Sequence, residues 1–463
     1  MTVHRLKYTV LAVVASVFGA AFGDIVSPAR LGDFRFKVPI TVTKTVADTE
    51  AGVPVPVRLA ENNPLGFSYA DCDPTQMRFG DKNYDPIPFE VDTWNPQGES
   101  LVWVKVPLAE GTKINLVYNG TATVANDPSA VWGDYTGVWH FETLDESVKV
   151  TNAQGTYPNS TAAEGIDGNV STYSVPGEPG RFGNCFRVND STGQKVGNFN
   201  KGGVWVNDAG TASPVDGGEN FTISGWFKHG NFQYYWDHFF YKRAASNNGG
   251  TPNNAFAIEI DSGSGNTAKP LPRGSSGTGR AVTLSNNLLD TWGYITFAYE
   301  GTTCHVYENG VLRGDVTITK CIDNDSPLVF GDNSTVTAGN GDAAWNGWID
   351  EVRFAKGTKS AEFIAAEYAA MTTDGLLYYG AVETADPSAI VVSSNIGPCG
   401  TVSPDYGAIE GPVAGQEYVF ACTDKIGVLV EDAKRGVCTG WKLVDTWSGE
   451  LLRHGDLVHP RSR

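Results

Sequence analysis

Two carboxylates, Glu259 and Asp261, stand two residues apart in Ala257-Ile258-Glu259-Ile260-Asp261, and in a strand that spacing puts both on one face. Hydrolysis of a glycosidic bond needs two carboxyl groups facing each other across it, one as acid and one as nucleophile or base. A third carboxylate further along the face would complete the set, but Ser262, Gly263, Ser264 and Gly265 follow. The outward polar face of a surface strand is the preferred reading, with Glu259 as acid or nucleophile in the less favoured hydrolase alternative. Asp350 and Glu351 are consecutive, so a regular strand points them to opposite faces and they form no dyad.

Other groups suit binding better than catalysis. Asp332, Asn333 and Asp342 lie close to Gly331 and Gly341 and offer hard oxygen donors for calcium, although turn formation and solubility account for the same residues. The histidines, including His140, His229, His238 and His305, are scattered, and no Cys-x-x-Cys or His-x-x-x-His spacing occurs; on that ground a zinc site is rejected. Tyr234-Tyr235-Trp236 could stack on a sugar ring, against the ordinary alternative of covering a sheet. Cys304 and Cys321 flank an Asn309-Gly310 hairpin and are expected to pair as a disulfide. Cys72 and Cys185 are expected as small buried apolar residues, and Trp139, Trp226 and Trp348 as core. No Gly-x-Ser-x-Gly elbow, Cys-His signature or nucleotide-binding loop is present.

These groups must be positioned by β structure. The chain has 463 residues, 41% of them hydrophobic, which is room for two or three domains with real cores. Short Val/Ile/Thr/Tyr/Phe runs separated by Gly, Asn, Asp and Pro read as strands and turns, and the class is all-β. A net charge of -18 repels phosphate backbones and disfavours nucleic acid as a partner.

His4, Arg5 and Lys7 precede an apolar run from Tyr8 to Phe22, and Ala21-Phe22-Gly23 supplies small residues for cleavage. Residues 1–23 are read as a secretory signal, and no later segment is long and apolar enough to span a bilayer. The expected location is secreted or at the cell surface.

Strands are expected at Phe34 to Val42 and at Val53 to Leu59, where Pro54 and Pro56 would suit only a sheet edge. Met77-Arg78-Phe79-Gly80-Asp81, Ile87-Pro88-Phe89-Glu90-Val91-Asp92-Thr93-Trp94-Asn95 and Val102-Trp103-Val104-Lys105-Val106-Pro107 follow. In this order the blocks resemble the bacterial domain of unknown function 2341, over residues 31–124. The resemblance implies a β-sandwich with LamG-like companions and no stated activity.

The next blocks are Gly137-Val138-Trp139-His140-Phe141, Gly183-Asn184-Cys185-Phe186-Arg187-Val188, Phe221 to Phe227, Trp292 to Tyr299 and Trp345-Asn346-Gly347-Trp348-Ile349-Asp350-Glu351-Val352-Arg353. Together they resemble the LamG-like jelly roll of the concanavalin A-like lectin/glucanase superfamily, across residues 131–385. Relatives of this kind often carry calcium, which makes calcium the one cofactor the resemblance suggests. Ser360 should cap a helix to Met371, with Ile364, Tyr368 and Met371 on one face, and Leu376 to Val382 should return as the jelly roll's closing strand. Residues 386–463, with Cys399-Gly400-Thr401-Val402-Ser403-Pro404 and Cys438-Thr439-Gly440-Trp441, look like part of a bacterial surface-repeat β module.

The sequence therefore suggests a secreted or surface recognition or adhesion protein that binds carbohydrate or another extracellular surface component. Tyr234, Tyr235 and Trp236 are the candidate ligand residues, and Asp332, Asn333 and Asp342 the candidate calcium ligands. A structural spacer or adhesin stalk without a small ligand is the alternative.

Overall fold

The structure is a computed structural model. It describes residues 34–46, 52–82, 85–120, 127–142, 177–188, 219–230, 238–242, 255–260, 268–275, 279–321, 328–331, 345 and 347–384, and elsewhere only the backbone of strand residues.

Strands β1 (Phe36–Val42), β2 (Val53–Ala60), β3 (Met77–Asp81), β4 (Pro86–Ile87), β5 (Phe89–Thr93), β6 (Glu99–Val106) and β7 (Lys113–Tyr118) build the first sandwich. One of its sheets runs β1-β7-β3-β4 and the other β2-β6-β5, all antiparallel. Val53, Val55, Val57 and Leu59 alternate into its core with Val38, Ile40, Phe79, Val104 and Leu116. The intervening Pro54 and Pro56 lie on β2, at the sheet edge, where a missing N–H breaks no ladder.

A four-residue helical turn, α1 (Pro128–Val131), leads onward; Asp127 caps it and Pro128 occupies its first turn. The second sandwich comprises β8 (Tyr135–Trp139), β9 (Lys149–Val150), β10 (Ser160–Ala162), β11 (Ser174–Pro179), β12 (Asn184–Val188), β13 (Val204–Val206) and β14 (Asn220–His229). It continues through β15 (His238–Arg243), β16 (Asn254–Ile260), β17 (Pro270–Arg273), β18 (Gly293–Glu300), β19 (Thr303–Glu308), β20 (Val311–Thr317), β21 (Leu328–Phe330) and β22 (Gly347–Lys356).

One sheet of this jelly roll runs β17-β16-β15-β21-β13-β10-β9 and the other β11-β12-β22-β14-β18-β19-β20, with β8 also on β22. Trp139, Phe227, Phe240, Phe256, Phe297, Phe330, Trp345 and Phe354 share the apolar layer between them. The β19–β20 hairpin turns at Asn309 (φ 53°) and Gly310 (φ 77°) with Glu308 paired to Val311. That is the positive-φ dipeptide turn expected from Asn-Gly.

Helix α2 (Ala361–Thr372) begins where expected: Ser360 Oγ accepts from Phe363 N at 3.2 Å. The segment after it differs from expectation. β23 (Leu377–Tyr379) and β24 (Glu383–Thr384) pair with β1, Ile40 opposite Tyr379 and Phe36 opposite Thr384. The strand expected to close the jelly roll therefore extends the first sandwich's sheet. Ala366 and Ala370 of α2 also enter that sandwich's core.

No helix among the described residues is long and apolar enough to cross a membrane. Cys304 and Cys321, expected as a disulfide, are both buried and not bonded to each other in this structure. Cys304 sits directly across from Val316, and Cys321 follows the end of β20. Burial pushes both thiols up, that of Cys321 to about 12. Cys72 and Cys185 are buried as expected.

Candidate functional site

The densest chemistry in the described residues lies where the first sandwich and α2 cover the outer face of the eight-stranded jelly-roll sheet. A local irregularity in β22 creates it. Opposite β14 the register shifts between Ser224 and Trp226, which pair with Arg353 and Asp350, and Glu351 takes φ +50°. This β-bulge breaks the alternation of side chains. Ile349 and Val352 stay in the apolar core, and Asp350 and Glu351 between them are both fully buried, burial and the Glu351 charge pushing the Asp350 carboxyl well above its usual range. The expectation that they point apart fails because it assumed a regular strand. For a residue other than glycine the left-handed backbone costs roughly 1–2 kcal/mol.

Around Glu351 the groups come from both sandwiches. His140, just after β8, has Nδ1 2.7 Å from Glu351 Oε1 and Nε2 3.2 Å from Glu90 Oε2 of β5. Asp92, also on β5, brings Oδ2 to 3.7 Å from the same Nδ1 and accepts from Trp103 Nε1 at 3.0 Å. Glu90 also accepts from Trp132 Nε1, which α1 delivers. Arg353 donates to Glu351 Oε2 at 2.8 Å and to Glu367 Oε1 of α2 at 3.2 Å. Its guanidinium lies 4.7 Å and 4.8 Å from the ring centres of Trp103 and Trp132, a desolvated cation–π pair. Tyr135 and Tyr294 each donate to Glu367 at 2.6 Å.

Burial and charge act in opposite senses here. Burial disfavours the charged His140 ring, but Asp92, Glu351 and Glu90 override it and hold the imidazole well above its usual value. Burial, joined by the charges of Glu351, Glu142 and Glu90 against that of His140, pushes Asp92 well above the carboxylate range. Burial would raise Glu351 too, but His140 and Arg353 hold it low. Glu142, which accepts from Asn184 N at 2.7 Å, is pushed by burial to about 7.

Asp92, His140 and Glu351 offer one nitrogen and two oxygens all within 4.8 Å of one another. Short ligand spacings are absent from the sequence, but His140 and Glu351 meet from 211 positions apart. Only the fold brings these donors together.

The uncovered part of the same face carries a row of partly exposed side chains. Arg187 and Lys228 flank Trp348, at 4.9 Å and 3.9 Å from its ring centre, and Lys228 also lies 5.3 Å from Trp292. Trp348 Nε1 donates to Glu178 at 2.9 Å. Trp348 is thus an outer-face residue rather than core, unlike Trp139 and Trp226; its alternation partner Ile349 takes the inward position.

Tyr234, Tyr235, Trp236, Asp332, Asn333, Asp342 and Asp261 lie outside the described residues. Glu259 is described: Arg273 Nη2 is 2.6 Å and His238 Nε2 3.6 Å from its carboxylate. Burial would raise it, but His238 and Arg273 hold it below its usual value. A carboxyl so held is ionised at neutral pH and unsuited to act as a general acid.

Residues 201–365 match the family described as the Concanavalin A-like lectin/glucanases superfamily. No curated protein matches the chain. Similar solved structures include domain 4 of a GH43 extracellular arabinanase from Geobacillus stearothermophilus in complex with arabinotriose, with 16% identity and a TM-score of 0.37 over 51% of this chain and 98% of that one. A sialidase from Trypanosoma rangeli shows 10% identity and a TM-score of 0.37, over 61% of this chain and 42% of that one. A heptameric SAP-like pentraxin from Limulus polyphemus shows 14% identity and a TM-score of 0.29, over 36% of this chain and 82% of that one. The central jelly roll of this nearly all-β chain carries, at residues 201–365, a concanavalin A-like lectin/glucanase domain.

Proposed function

We propose that the chain is a secreted or cell-surface recognition and adhesion protein that binds carbohydrate or matrix through its jelly roll. The observation that carries this reading is the concanavalin A-like lectin/glucanase domain at residues 201–365. The row of Arg187, Trp348, Lys228 and Trp292 supports it, because partly exposed indoles beside cations offer both stacking and hydrogen bonding to a polar ring. The reading includes Tyr234, Tyr235 and Trp236 as sugar contacts and Asp332, Asn333 and Asp342 as calcium ligands. It also includes export by residues 1–23 and an N-terminal domain of the 2341 type.

A glycan array probed with the full chain, in calcium and then in chelator, tests the proposal. Hits that Trp348→Ala or Trp236→Ala weakens tenfold or more support it, and loss of binding in chelator supports the calcium ligands. Silence in both conditions from folded protein would sink it and favour the second reading, a structural spacer. Strands β23 and β24 and the buried junction bind the two sandwiches together, as a stiff spacer requires.

A further inference from the structure

The junction gathers more buried carboxyl groups than cations. Among the described residues Glu90, Asp350, Glu351 and Glu367 are at most 6% exposed and the Asp92 side chain 2%. Against these five carboxylates stand His140 and Arg353. Uncompensated charge in so dry a place is strongly unfavourable, and either protons or a cation must offset it.

The donors are individually fixed. Trp103 Nε1 holds Asp92 Oδ2, Arg353 holds Glu351 Oε2, and Glu90 faces His140 Nε2. A carboxylate on the far ring nitrogen is how metal-bound histidines are oriented. It leaves Nδ1 facing the Asp92 and Glu351 oxygens at 3.7 Å and 2.7 Å. Bonds of about 2.1 Å at tetrahedral angles place ligand atoms about 3.4 Å apart, within this range. Asp350, next to Glu351 at the bulge, stands outside this donor set, and its Oδ2 accepts from Arg181 N and Phe182 N at 2.6 Å and 2.9 Å.

We propose that Asp92, His140 Nδ1 and Glu351 bind a divalent transition-metal ion, zinc in the first instance, which pins the first sandwich to the jelly roll. Calcium and magnesium prefer all-oxygen shells of six or more ligands, whereas one imidazole with two carboxylates suits zinc. The ion takes the place of the proton between Nδ1 and Glu351 Oε1, and that proton leaves to solvent. The site is independent of any glycan binding.

The test is metal content of the full-length protein after incubation with zinc and exhaustive dialysis. About one zinc per chain is expected, falling at least fivefold in His140→Ala and in Asp92→Asn and unchanged in His305→Ala. X-ray absorption at the zinc edge of the wild type should read one imidazole and otherwise oxygen, a readout that needs no variant to fold. Folded wild-type protein that retains less than a tenth of an equivalent, zinc that survives both substitutions in folded protein, or a shell of several imidazoles would overturn the proposal. The junction would then be an ion-pair network only.

Discussion

The inner face of the eight-stranded sheet and the covered part of its outer face solve the same packing problem differently. Its inner face meets the other jelly-roll sheet through a layer dominated by aromatic and aliphatic side chains, Trp139, Phe227, Phe297, Ile349 and Phe354 among them. Its outer face, under the first sandwich and α2, mixes Trp103, Trp132 and Trp226 with His140, Glu351, Arg353 and Glu367. An apolar layer tolerates repacking so long as volume is kept. A buried charged layer tolerates almost nothing, since each group depends on a partner contributed by another element. The inner face therefore supplies stability, and the outer face fixes how one sandwich sits on the other.

This contrast can be broken from either side. The largest loss is expected from Arg353→Met, which strands Glu367 without a counter-charge, leaves Glu351 with His140 alone and should cost about 3–5 kcal/mol in urea unfolding. Replacing Arg353, Glu351 and Glu367 together by apolar residues of similar volume should recover most of that loss; recovery of less than half would show that the charges do more than satisfy one another. Trp139→Ala on the inner face should also cost about 3–5 kcal/mol, but no second substitution among the charged groups should rescue it. Smaller effects come from the elements that hold the faces in place. Ser360→Ala, removing the cap of α2, should cost about 1 kcal/mol.

The smallest effect is expected at the exposed rim. His305 Nδ1 is 2.7 Å from Asp315 and Nε2 3.3 Å from Glu300; burial opposes its charge, but these carboxylates raise it above the usual imidazole value. A raised histidine stabilises fully below its unfolded value near 6.5 and loses that contribution as pH rises through the higher folded value. Solvent screening limits the pair to about 0–1 kcal/mol. NMR titration of the ring should show the upward shift, and an unshifted ring would remove this contribution.

Local chemistry was legible in the sequence where it depends on neighbours along the chain. Asn309-Gly310 dictates its turn, Ser360 its helix start, and Pro54 and Pro56 their edge, because each acts on its own backbone. The jelly roll followed from the resemblance that the ordered sequence blocks carry, and Trp139 and Trp226, which lie in those blocks, are core as expected. The junction was not legible. Its donors at 92, 140 and 351 meet only through sheet pairing, and the bulge at Glu351 overturns the alternation that assigned Asp350 and Glu351 to opposite faces. Nor does composition reveal that Leu377–Tyr379 adds to β1 rather than to the jelly roll, since an edge strand's pattern does not name its partner sheet.

The claim that the outer-face junction makes the two sandwiches one unit is tested most directly by native-state hydrogen exchange on the full chain, wild type and Arg353→Met. The account predicts that amides of β1 and β7 share the slowest opening of β14 and β22 in the wild type. In the variant they should become at least about tenfold less protected than those strands, a gap of roughly 1.4 kcal/mol. A gap of that size already present in the wild type, or a variant in which both sandwiches lose protection equally, would contradict it.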